Sequence, residues 1–171
     1  MSVHSKLVTS IFGEGGRSIR NISAKYYWRG GAHGDQFNWN NPYNWYNRSV
    51  PSWYDQAIIS FTNSNHYCNP IVDEFITDIN QLIVEEGCSI LIQKEGKMCI
   101  DGFGKKGVGI INNGEIIIEG ELTIQRTIYA SIRNGGLIRN LGSLALEKQE
   151  NGAIIQSVPG KFENLGEVIY L

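Results

Sequence analysis

From Gly96 onward, apolar and polar positions alternate in short runs that restart at glycines spaced 22 to 24 residues apart: Gly96, Gly120, Gly142 and Gly166. Two and four residues after each stand Met98 and Ile100, Leu122 and Ile124, Leu144 and Leu146, Val168 and Tyr170. Between them lie Lys97 and Cys99, Glu121 and Thr123, Ser143 and Ala145, Glu167 and Ile169. One mostly apolar face and one mostly polar face mark a half-buried β-strand. A second track keeps nearly the same step, with Gly114, Gly136 and Gly160 placing Ile116, Ile138 and Phe162 two residues later. Two strands per period, in phase, predict a coil that returns above itself, because an antiparallel array has no need to hold a fixed period. The fold expected is all-β: a parallel β-helix, or β-solenoid, of about four or more coils, each rising roughly 4.8 Å.

Asparagines accompany the glycines, as in Asn112-Asn113-Gly114, Asn134-Gly135-Gly136, Asn140-Leu141-Gly142 and Asn164-Leu165-Gly166. They read as corner residues, with positive φ open to the glycines. In a stack, Asn140 and Asn164 fall one above the other, so that each amide can bond the next in a ladder along the axis. Gly96, Gly120, Asn140, Gly142, Asn164 and Gly166 are therefore the expected structural turn positions.

Ahead of the repeats the pattern changes. Residues 1–24 mix polar and apolar positions around a Gly-Glu-Gly-Gly break at 13–16 and read as an arm, and residues 25–60 form a region rich in aromatics and asparagine that is expected to cap the solenoid of residues 61–171. Trp28, Trp39, Trp45 and Trp53 are suited to a cap core, since a solenoid must close its first coil against water. Strands are expected at 57–60, 79–84 and 89–92. Helix signals are weak, with one short turn at residues 73–81 as the candidate.

The series Trp28-Arg29-Gly30-Gly31, then Trp39-Asn40-Asn41-Pro42-Tyr43-Asn44-Trp45, then Val50-Pro51-Ser52 and Asp55-Gln56-Ala57-Ile58-Ile59 resembles the opening of bacterial adhesin-like β-solenoid surface proteins. In those proteins a Trp-Gly, an Asn-Trp and a Val-Pro followed by an Asp and a strand lead into Gly-Asn coils. The resemblance covers residues 28–171 and implies a right-handed parallel β-helix used as a surface, fibre or adhesive building block. Cytoplasmic bactofilins are similar in architecture but do not share the aromatic leader.

Charge and composition narrow the function classes. A net charge of −2, with both signs interspersed, gives no footprint for nucleic acid. No apolar stretch reaches a membrane span, and the first dozen residues lack the apolar core of a secretory signal. Cys68, Cys88 and Cys99 are an odd number without a C-x-x-C pair, so neither a disulfide framework nor zinc is indicated. His4, His33 and His66 are far apart, and the run of asparagines at 38–47 with Asp35 and Asp55 has too few carboxylates for a calcium loop. No metal or cofactor is expected.

Two motifs invite chemistry. Gly102-Phe103-Gly104-Lys105-Lys106-Gly107 matches G-x-G-x-x-G, but a dinucleotide fingerprint must open a helix, whereas residues 108–118 continue as strand. Glu115, Glu119 and Glu121, with Arg126, Arg133 and Arg139, alternate as charges on an outer face do.

The expectation is a non-enzymatic structural protein that assembles with itself into an extracellular filament, fibre, surface or virion component. The repeats run to Tyr170 and Leu171 with no polar cap after them, so Glu167, Val168, Ile169, Tyr170 and Leu171 are the expected interface, together with the arm. A head-to-tail contact of that kind makes a ring or an open filament. The alternative is a carbohydrate-binding adhesive module in which Trp39, Tyr43, Trp45 and Trp53 stack on surface glycans.

Overall fold

The computed structural model describes residues 23–63, 69–102, 107–147 and 152–171. The chain enters through β1 (Lys25–Tyr27), β2 (Gln56–Ile59) and β3 (Ile71–Val72). Four complete coils follow, each of three strands. The first is β4 (Gln81–Val84), β5 (Ser89–Ile92) and β6 (Lys97–Asp101); the second is β7 (Val108–Asn112), β8 (Glu115–Ile118) and β9 (Glu121–Gln125). The third is β10 (Ala130–Asn134), β11 (Leu137–Asn140) and β12 (Ser143–Leu146); the last is β13 (Ile154–Gln156), β14 (Lys161–Asn164) and β15 (Glu167–Tyr170).

Stacking the coils makes three parallel sheets, ordered β1-β2-β4-β7-β10-β13, β3-β5-β8-β11-β14 and β6-β9-β12-β15. The β-solenoid expected from the glycine period is thus the fold, with three strands per coil rather than two. Both glycine tracks are present, as the second and third sheets. The first sheet follows loops of variable length and has no glycine track to announce it.

Register explains the core. Met98, Leu122, Leu144 and Val168 are successive partners in the third sheet, and Ile90, Ile116, Ile138 and Phe162 in the second. All point inward and form one continuous column with Leu82, Ile110 and Ile132 of the first sheet. Burying such isoleucine and leucine side chains contributes about 1.5–3 kcal/mol each relative to leaving them in water. β-Branched residues at these sites also suit the pleated backbone.

The corner glycines work differently from the expectation. Positive φ occurs at Gly30, Gly31, Gly34, Gly87, Gly107 and Gly152, and not at Gly96, Gly120, Gly142 or Gly166. The latter are required because a Cβ at each would overlap backbone of the preceding coil: at Gly142 the carbonyl oxygen of Gly120, at Gly166 that of Gly142. Residues 73–81 are not a helical turn. They run alongside β6, with Phe75 and Ile79 bridging to Lys97 and Ile100.

Candidate functional site

Three regions hold the side chains singled out by the sequence: the corner columns, the aromatic cap and the C-terminal coil. At the corner between the second and third sheets, Asn140 donates to Asn164 Oδ1 (2.7 Å) and to the Glu167 carbonyl (2.8 Å), so the expected ladder forms. A second ladder, at asparagines expected only as corner residues, runs through the corner between the first and second sheets. Asn112 Nδ2 donates to Asn134 Oδ1 (2.8 Å), and Asn134 donates to Gln156 Oε1 (3.4 Å) and to the Lys161 carbonyl (3.0 Å). Its signal was the step of 22 residues from Asn112 to Asn134 and on to Gln156. The third corner is built from charge instead: Arg126 grips the buried Asp101 carboxylate, and Glu147 accepts from the Thr127 amide (3.1 Å).

In the cap, Trp28, Trp39 and Trp45 are buried and pack on one another, with Trp45 edge-on to Trp39 at 4.8 Å and to Trp28 at 5.1 Å between ring centroids. Trp45 Nε1 also donates to the Trp39 carbonyl (2.9 Å). This corrects the reading of Trp39 and Trp45 as glycan contacts, since neither presents a ring face to water. It corrects the fourth indole in the opposite sense: Trp53 stands 60% exposed, outside the cap core, as Tyr43 does at 63%. Asn44 holds the cap loop together, accepting from Ala32 N–H (2.8 Å) and donating to the Asp35 and Asn38 carbonyls (2.7 and 2.9 Å).

The cap also closes the sheets. Beside β1, Tyr46 N–H bonds the Tyr27 carbonyl (3.1 Å); beside β3, Trp39 N–H bonds the Ile71 carbonyl (3.0 Å) and Ile71 N–H the Phe37 carbonyl (2.7 Å). Beside β6, Ile76 and Ile79 donate to Lys97 and Cys99, while Lys97 and Asp101 donate to Glu74 and Ile79. At this end the chain's own loops thus line the edges of β3 and β6, and take the Tyr27 carbonyl on β1.

At the other end β13, β14 and β15 are the outermost strands of their sheets. Lys161 and Leu165 donate inward to Gly136 and Asn140, so the intervening Phe162 and Asn164 turn their backbone groups outward. By the same alternation Glu167 and Leu171 bond inward to Gly142 and Leu146, and Val168 and Tyr170 face outward. Ile154, Phe162 and Val168, whose counterparts in the third coil are buried, are only half-buried here. Val158, Leu165, Ile169, Tyr170 and Leu171 are exposed around them. The five expected interface residues thus lie on a mostly apolar strand edge that no described residue covers; of the arm, residues 1–24, all but the last two lie outside the described residues.

Charges on the outer faces pair between coils. Lys97 bonds Glu121 (2.7 Å), and Arg139 bonds Glu163 (2.9 Å) with Glu115 at 3.9 Å. Hydrogen bonds from Lys161 and Arg139 hold the Glu163 carboxyl below its ordinary range, and Glu163 in turn raises Arg139. Glu115 and Glu121 face different sheets and form no cleft together. Burial, with the Asp78 carboxylate beside it, pushes the Cys99 thiol up to about 11, which keeps it protonated and poorly nucleophilic at neutral pH. Strand β7, not a helix, follows Gly107, so the G-x-G-x-x-G motif lacks the helix N-terminus a pyrophosphate needs. Cys68, His4 and His66 lie outside the described residues, among which no group of three or more His, Cys, Asp or Glu is placed to hold a metal and no helix is long and apolar enough to cross a membrane.

No family model, curated protein or solved structure matches this chain.

Proposed function

We propose that this chain is a non-enzymatic structural protein that associates with itself through its C-terminal coil, as a building unit of a fibre, surface or virion assembly. The observation that carries this reading is the contrast between the two ends. Among the described residues, loops line β3 and β6 and bond β1 at Tyr27 at one end, whereas the other leaves three strand edges and the half-buried Ile154, Phe162 and Val168 uncovered. An unpaired β-edge is a template for another strand, and proteins that do not use one protect it with charge, proline or a covering loop. The resemblance of residues 28–171 to adhesin-like surface proteins supports the same class of role.

Val168→Pro tests it. The Val168 N–H points away from β12, so proline there removes no bond within the chain while blocking any strand added outside. Association measured by sedimentation should weaken at least about tenfold, the equivalent of one well-made contact, with the circular dichroism spectrum unchanged. A folded variant that associates as the parent does refutes the reading.

A second reading, glycan binding by the cap, is favoured by the outward aromatic surface of Tyr43, Tyr46, Trp53 and Tyr54. Exposed rings of this kind stack on sugar faces. Tyr43→Ala with Trp53→Ala should abolish binding on a glycan array without lowering thermal stability; unaltered binding, or none by the parent, discards it.

A further inference from the structure

We propose that the open coil docks on the open coil of a second copy, tail to tail, about a two-fold axis that sets Phe162 of β14 opposite itself. The inference rests on the self-association proposed above and specifies its partner surface.

Head-to-tail pairing would require the C-terminal edge of one copy to add to the N-terminal edge of the next. Most of that edge is already spent: the carbonyls of Ile71, Lys97 and Cys99 on β3 and β6, and that of Tyr27 on β1, accept from the chain's own loops. Displacing the loop that carries Trp39 and Trp45 would also break up the packed Trp28, Trp39 and Trp45. Among the described residues the C-terminal coil is thus the end at which all three strands keep free edges, and two such ends brought together make an isologous contact, which closes as a pair. Turning one solenoid end over end reverses its strands, so the new junction is antiparallel.

Charge selects which strand lies on the axis. β14 reads Lys161-Phe162-Glu163-Asn164, whereas β13 has no charged residue and β15 has only Glu167. With Phe162 opposite itself, Lys161 of each copy lies opposite Glu163 of the other, twice over. Opposite charges facing across strands are favourable, and like charges are not. Glu163 already bonds Lys161 and Arg139, but a carboxylate has room for a further donor. Phe162 turns both its N–H and its carbonyl outward, which is what a hydrogen-bonded antiparallel pair needs at its centre. In a three-sided coil the same axis lays β13 of one copy along β15 of the other, bringing Ile154 and Ile155 against Val168 and Ile169.

The test uses the full chain. Sedimentation velocity over a range of concentrations should show a monomer passing to a dimer that grows no further. Lys161→Glu and Glu163→Lys should each weaken the dimer by placing like charges opposite one another, and mixing the two variants should restore it, since each then supplies the charge the other lacks. Should Glu163→Lys lose its fold, Lys161→Cys and Glu163→Cys read the same contact. Mixed under oxidation, those chains should cross-link several-fold more than either alone, with the unsubstituted chain as control for native thiols. Species that keep growing with concentration overturn the two-fold contact while leaving self-association standing. A monomer at every concentration overturns both. Mixtures no better than the single variants overturn the centre on Phe162.

Discussion

Gly142 has no positive φ, yet a Cβ there would overlap the carbonyl oxygens of Gly120 and Glu119 in the preceding coil. Gly87 is the opposite case, with φ at 78° and open space where a Cβ would go. The two test different physics. Gly142→Ala must push two coils apart at a corner already fixed by the Gly142 to Ile118 bond, so a loss of about 2–3 kcal/mol is expected, as for overpacking. Gly87→Ala meets only the left-handed backbone and should lose about 1 kcal/mol. Urea unfolding at matched slopes checks the order; equal losses would mean that the corner relaxes. The aromatic residues teach a similar lesson about reading single positions. Tryptophan looks the same in a sequence whether it faces sugar or core, and only the packing of Trp28, Trp39 and Trp45 around the loop tied by Asn44 separates them from Trp53.

At the scale of strands and corners, legibility followed the turn chemistry. Where the chain turns within two to four residues between sheets, contact with the preceding coil demands glycine, and the second and third sheets could be read from that period alone. The corner leading into the first sheet is made by Arg126, Asp101 and Glu147 with loops of differing length, so β4, β7, β10 and β13 lack a glycine mark. Their regularity survives only in Ile110, Ile132 and Ile154 and in the amide column beside them. That column is a structural element in its own right. Asn134 is fully buried and links Asn112, Gln156 and the Lys161 carbonyl, so Asn134→Ala removes three hydrogen bonds at once, although Asn112 keeps the Leu137 carbonyl. At about 0.5–1.5 kcal/mol net for each bond lost, the expected loss is roughly 2–4 kcal/mol. Asn164→Ala, at an exposed position in the last coil, should lose far less in the same denaturant titration. Equal losses at the two sites would show that burial is not what gives the ladders their weight.

Across the whole molecule, stability should fall along the axis from cap to open coil, because each coil of a solenoid is held by its neighbours and the last has only one. The middle coils are sandwiched, with Ile110, Ile116, Ile132 and Leu144 fully buried, whereas β13, β14 and β15 keep their apolar residues half in water. Local opening follows such differences in burial and contact. Amide hydrogen exchange on dilute monomer should therefore be fastest, within the strands, at the outward N–H groups of Ile154, Phe162 and Val168, and slow at Ile132 and Ile138. Raising the concentration until the chain associates should protect the first group and leave the second unchanged, since only the open coil gains a neighbour. Protection arising instead at Tyr43 and Trp53 would place the contact on the cap and remove the C-terminal coil from the assembly. The same gradient bears on the proposed contact: the coils next to the cap pack on a stable base, and a strand added to the last coil would meet groups that lie outside that base, where occupying them need not disturb the core.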